Sequence, residues 1–163
     1  MLTQHRRFAR NAPIRTDVVR RLVLAALIIA GASCGPARPA VTPETVVAAS
    51  DYAFQVPAHL GAGPARFRLQ NTGKVPHEMA MGQLRAGVTA DSLLSHMAAG
   101  GDPTPLTDGV VGILIVEPGA TSLGTLDVDL VPGRTYVMIC QFRDADSLPP
   151  HVAMGMQASF VVD

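Results

Sequence analysis

The sequence predicts an all-β sandwich over residues 46–163, and three observations carry that prediction. Short apolar or alternating runs recur along this stretch and are separated by Gly/Pro turns. About seven such runs can be counted, at a spacing suited to two packed sheets. Helical periodicity is confined to one stretch around 89–99, and there is no internal repeat.

Each element has its own signal. TVVAASDYAFQVP (45–57) supplies one or two strands, closed by Pro57. ARFRLQN (65–71) alternates, with Phe67 and Leu69 on one face, and NTGK (71–74) is turn chemistry. HEMAMGQL (77–84) is a strand with His77, Met79 and Met81 on one face and Glu78 and Ala80 on the other. TADSLLSHMAAGG (89–101) opens on capping residues and ends in Gly-Gly, a short helix on which His96 or Met97 faces the core. With the loop GDPTPLTDG (101–109), it makes 85–109 an excursion from the sheets. Strands resume in VVGILIVEPG (110–119) and, after Pro118-Gly119, in SLGTLDVDL (122–130). After Pro132-Gly133, TYVMICQF (135–142) is apolar on both faces, as expected of a central strand, with Tyr136, Met138 and Cys140 on one side. MQASFVVD (156–163) closes the fold, and His59 is expected in a solvated loop after Pro57.

The N-terminal third has a different character. Residues 1–21 carry six Arg and one Asp, and LVLAALIIAGAS (22–33) is uncharged and short for a membrane span. Residues 1–33 therefore read as a signal peptide. Two cleavage patterns fit: Ala30-Gly31-Ala32 as an A-x-A site, or GASC (31–34), which is similar to a bacterial lipobox and would make Cys34 the acylated first residue. Gly31 stands where a lipobox has a larger aliphatic. The Pro-rich stretch 34–45 favours the lipoprotein pattern, because it reads as a semi-extended tether. The expected location is the periplasm or outer cell envelope, with membrane attachment only through the lipid. Without acylation, a Cys34–Cys140 disulfide is open to an exported chain.

The leader also hides the charge of the rest. The whole chain is neutral, yet residues 35–163 hold seven basic and twelve acidic side chains, a net −5. That balance disfavours nucleic acid and anionic membrane surfaces and suits a basic protein partner.

The chemistry-bearing residues are Cys140, His151 and Met156 near the C-terminus and His77 far upstream. One thiolate, two imidazoles and a weak thioether form the ligand set of a mononuclear blue-copper electron-transfer centre. Singly, each residue has a plainer reading: a cysteine ending an apolar strand is usually core, and a methionine in a glycine-flanked loop is usually packing. Together and in this order they point to a metal site. Met154 is the alternative axial ligand should Met156 pack inward. The two-cysteine loop of a binuclear copper site is lacking, as are a nucleophile triad and a phosphate-binding Gly loop.

Two stretches carry a family resemblance: NTGKVPHEM, and PGRTYVMIC followed by PPHVAMGMQASFVV. Residues 65–163 resemble the cupredoxins, the plastocyanin-like blue-copper family. The resemblance implies a Greek-key β-sandwich and one copper ion, with His77, Cys140 and His151 as equatorial ligands and Met156 as the axial one. It also implies that Tyr136 pins the strand beside the Pro-Gly turn. Ten residues, QFRDADSLPP, separate Cys140 from His151, more than in simple electron carriers of the family. With Asp144 and Asp146 in it, that loop is expected to alter solvent access and potential. Glu78 stands where the family often has Asn, so a hydrogen bond near the cysteine is expected to be missing or replaced.

The function expected is that of an envelope electron carrier, a monomer and not an enzyme, cycling one electron through copper between redox partner proteins. A Cu(I) chaperone or sensor using Met79, Met81 and Met154, and a metal-free cupredoxin-like binding module, are the competing readings.

Overall fold

The computed structural model describes residues 41–163, so the leader, Cys34 and most of the tether fall outside the described residues. Among the described residues, nine strands and one α-helix follow in order: β1 (Glu44–Ser50), β2 (Ala53–Gln55), β3 (His59–Leu60), β4 (Gly63–Asn71), β5 (His77–Leu84), α1 (Ala90–Ala98), β6 (Thr107–Val116), β7 (Leu126–Leu130), β8 (Thr135–Ile139) and β9 (Gln157–Val162). Seven of the strands have five residues or more, matching the sequence count. They form a four-stranded sheet, β2-β1-β4-β7, and a five-stranded sheet, β3-β9-β8-β5-β6. The β1–β4 and β3–β9 pairs are parallel and the remaining pairs antiparallel.

The period-2 faces read from the sequence meet between the sheets. Phe67 and Leu69 of β4 join Met79 and Met81 of β5, and Tyr136 and Met138 of β8, in one buried cluster. Phe160 of β9 stacks with Phe67 at 5.7 Å and with Tyr136 at 5.3 Å. Met79 and Met81 are unbranched and weak strand formers, but burying each side chain is worth about 2 kcal/mol. The whole strand-propensity scale spans only about 1 kcal/mol, so burial decides.

The helix explains a pattern that a two-sheet sandwich alone does not. Thr89 caps it, and Thr89 and Ser92 exchange side-chain-to-backbone hydrogen bonds in a capping box. Leu93 then packs with Leu84, Val137 and Ile139 on the outer face of the five-stranded sheet. Strand β8 is apolar on both faces because the core lies on one side and α1 on the other. Met97 joins this second cluster, whereas His96 stays exposed and bonds the Asp102 carbonyl at 3.0 Å.

Two local expectations need correction. Residues 122–125 are not strand, and β7 begins only at Leu126. Ser122 is buried in that bend, where its hydroxyl donates to the Gly124 carbonyl and accepts the Leu69 N–H, so local bonding replaces the ladder. His59 is exposed as expected, but its backbone belongs to β3, paired with Val161, and its ring meets Asp163 at 3.0 Å. Two residues are too few to leave a periodic signal.

Candidate metal centre

The turn before β5 is built to deliver His77. The Asn71 side chain accepts the Gly73 N–H at 2.8 Å and donates to the Val75 carbonyl at 2.8 Å, folding NTGKV into a fixed loop. Gly73 is required by close approach, since a Cβ there would overlap the Asp51 carboxylate and stand 3.1 Å from His77 Nε2. Asp51 in turn accepts the Lys74 N–H at 2.7 Å. His77 emerges fully buried, and neither ring nitrogen has a hydrogen-bond partner. An unpaired buried imidazole costs about 1–3 kcal/mol, so this atom pair calls for a ligand.

Cys140 lies one residue beyond β8 and is fully buried. Tyr136 fixes the strand's approach: its hydroxyl accepts the Val131 N–H at 3.2 Å across the Pro132-Gly133 turn and donates to Gln83 at 2.8 Å. Among the described residues the Cys140 thiol has no disulfide partner. Its Sγ lies 3.4 Å from His151 Nδ1 and accepts the Glu78 N–H at 3.4 Å. The Glu78 carboxylate accepts the Gln141 N–H at 2.8 Å. The hydrogen bond expected to be missing or replaced beside the cysteine is thus supplied by Glu78 itself.

His151 and Met156 come from a single turn. His151–Met154 form a 3₁₀ turn ended by Gly155 at φ 106°, a left-handed conformation that glycine adopts without strain. The Met156 N–H then returns to the His151 carbonyl at 2.9 Å, and the Cys140 N–H bonds the Met156 carbonyl at 3.2 Å. Met156 is fully buried in the cluster that contains Cys140, whereas Met154 is half-buried. One donor atom each from His77, Cys140 and His151 lie within 4.8 Å of one another, and the two imidazoles meet edge to face at 5.2 Å.

The outer side of the site holds residues that sequence reasoning did not assign to it. Asp51 Oδ1 lies 3.9 Å from His77 Nε2. Asp144 Oδ1 lies 2.9 Å from His151 Nε2, and Asp144 Oδ2 accepts the Tyr52 hydroxyl at 2.5 Å. Both histidines therefore turn Nε2 outward toward a carboxylate. Asp51 and Tyr52 lie between β1 and β2, brought here because β1 runs beside β4. No local pattern marks them. The loop that carries Asp144 and Asp146 is the one expected from the sequence to alter solvent access and potential; of its two acids Asp144 reaches His151, and Asp146 is exposed.

These surroundings set the protonation states. Burial pushes the His77 imidazolium pKa down, His151 adds to the effect, and the pull of Asp51 does not offset it. Burial also pushes the Cys140 thiol up, against the N–H bonds from Glu78 and Phe142. Hydrogen bonds from Tyr52 and His151 hold the Asp144 carboxyl below its usual range. A lowered imidazolium pKa keeps the His77 ring free to donate a lone pair, and a bound metal ion would favour the thiolate form of Cys140 against the effect of burial.

No protein-family profile matches the chain, and no curated protein matches it in sequence. Solved structures match in fold. Auracyanin B is 19% identical, with 77% of this chain and 92% of its own covered, at a TM-score of 0.50. Auracyanin A, a "blue" copper protein from the green thermophilic photosynthetic bacterium Chloroflexus aurantiacus, is 17% identical over 74% of this chain and 99% of its own, at 0.45. Rusticyanin from Thiobacillus ferrooxidans is 18% identical over 76% and 79%, at 0.48. The likeness to auracyanin B identifies the sandwich as the cupredoxin fold.

Proposed function

We propose that this protein is a cupredoxin-type electron carrier that binds one copper ion through His77, Cys140 and His151, with Met156 as the axial ligand. The observation that carries the reading is the buried Cys–His–His cluster in which both nitrogens of His77 lack a partner. Copper supplies reversible one-electron exchange, for which a soft thiolate and imidazoles suit both oxidation states. The chain's own residues do the rest. The Asn71 turn and the Glu78–Gln141 bond hold the donors on rigid strands before metal arrives. Burial of Cys140, His77 and His151 excludes water from the thiol and both rings.

The reading extends to the whole chain. The basic apolar leader and Cys34 support export and lipid anchoring in the cell envelope, and the net −5 of residues 35–163 suits a basic redox partner. We take the protein as a monomer and as a carrier with no catalytic reaction of its own. No described helix is long and apolar enough to cross a membrane. The Cu(I)-chaperone reading is less favoured, because Met79 and Met81 have no exposed surface through which to take up metal.

Titrating the purified protein with Cu(II) tests the proposal. One equivalent should bind, raise the unfolding temperature and give an intense thiolate-to-copper visible band that a reductant bleaches reversibly. Cys140→Ser should abolish the band. Absence of both binding and colour in the unmodified protein would sink the reading. Tight Cu(I) binding without Cu(II) colour, dependent on Met79, Met81 or Met154, would point to the chaperone instead.

A further inference from the structure

The long loop between Cys140 and His151 folds back onto the ligand it leads to. The Phe142 carbonyl accepts the His151 N–H at 2.8 Å, so residues 143–150 form an excursion with closed ends. The Leu148 N–H bonds Ala145, and the Arg143 guanidinium bonds the Leu148 carbonyl, which tightens the loop internally. Asp144 is thereby set against the outer edge of His151. Both of its carboxylate oxygens are committed, one to His151 Nε2 and one to the Tyr52 hydroxyl.

Tyr52 is fixed from the other side. Its φ of 64° makes it the one non-glycine residue with positive φ among the described residues, a conformation that persists where surrounding contacts over-determine it. Its ring meets the His151 ring edge to face at 5.0 Å. Ring and hydroxyl together hold both the imidazole and the acid that bonds it.

We propose that Asp144, held by Tyr52, is a positioning residue that fixes His151 as the Nε2–H tautomer with Nδ1 facing inward, and biases the site toward the higher copper oxidation state. The first effect is direct. A carboxylate only accepts hydrogen bonds, so it selects the ring form with its proton on Nε2 and leaves the Nδ1 lone pair on the Cys140 side. The second follows from charge, since a carboxylate bonded to a ligand favours the more positive metal ion. The charge effect rests on the copper reading above, whereas the tautomer effect does not.

The test uses the purified protein and the variants Asp144→Ala, Asp144→Asn and Tyr52→Phe. Nitrogen NMR of the metal-free protein at about pH 8, where an ordinary imidazole is neutral, should show His151 as the Nε2–H form. Asp144→Ala should weaken that preference, leaving only the Cys140 thiol beside Nδ1 to favour it. Asp144→Asn should keep it, since the amide oxygen still accepts, and Tyr52→Phe should weaken it. In the copper-loaded protein, Asp144→Ala and Asp144→Asn should both lower the ratio of Cu(II) to Cu(I) affinity at least tenfold, a rise in potential of about 59 mV for one electron. An unchanged His151 tautomer in Asp144→Ala would overturn the positioning role. Potentials within threefold-equivalent of the unmodified protein would overturn the bias. Failure to bind copper would overturn the carrier reading, and the tautomer measurement would still decide the role of Asp144.

Discussion

Glu78 bonds the chain at Cys140 twice, donating its backbone N–H to Cys140 Sγ at 3.4 Å and accepting the N–H of the next residue, Gln141, at 2.8 Å. Strand β5 thereby holds both the thiol and the backbone that follows it, just where β8 has ended. Glu78→Ala keeps the backbone bond to sulfur and loses the carboxylate bond. The expected cost is about 1 kcal/mol, the usual net worth of one half-exposed hydrogen bond. Glu78→Gln should retain most of it, because the amide oxygen still accepts. Denaturant midpoints of the three proteins measure the difference, and equal midpoints for Glu78→Ala and the parent would show the bond to be idle.

Gly73 is constrained by space, not by its dihedral angles. A methyl group there would overlap the Asp51 carboxylate and press on His77 Nε2. Gly73→Ala should therefore destabilise by about 1–3 kcal/mol, as overpacking does. Adding Asp51→Ala to Gly73→Ala removes the obstructing carboxylate and should recover part of the loss. A double-mutant cycle with strictly additive costs would show that the two residues do not compete for this space.

Leu93 is the anchor of α1 on β8, 1% exposed between the helix and Val137 and Ile139. Leu93→Ala should cost about 3 kcal/mol through a cavity beneath the helix. The four proposed ligands project from the opposite face of the sheet or from its end, so the position of the thiolate-to-copper band should not move. A shifted band would show that α1 shapes the site through β8.

Much of this was legible in the sequence because its signals are periodic. Alternation placed His77, Met79 and Met81 on one face of β5 and Tyr136, Met138 and Cys140 on one face of β8, and all six are buried. The apolar second face of β8 was visible too, but assigning it to α1 requires knowing where the helix docks. The outer wall was not legible. Asp51 and Tyr52 reach the site because β1 pairs in parallel with β4, a long-range register that leaves no local pattern. Asp144 was visible only as an acid in a long loop, since its contact with His151 depends on how that loop returns.

The pH dependence of the metal-free protein tests whether His77 is held ready as a ligand. Burial lowers the pKa of its imidazolium in the folded state, with the neighbouring His151 adding to the effect. Above the ordinary histidine pKa of about 6.5, the ring is neutral whether the chain is folded or not, and His77 makes no pH-dependent contribution. Below it, the unfolded chain takes up a proton that the folded chain refuses, so stability falls with pH until the lowered folded pKa is reached. One such group contributes at most about 1.4 kcal/mol per pH unit. Denaturant unfolding on either side of the ordinary histidine pKa should show this loss, and His77→Gln, which keeps a polar side chain without titrating, should show less of it. Equal slopes would mean that His77 protonates in the folded protein as readily as in the unfolded one. Its unpaired nitrogens would then be open to solvent protons, and the case for a lone pair kept free for a metal would fail with them.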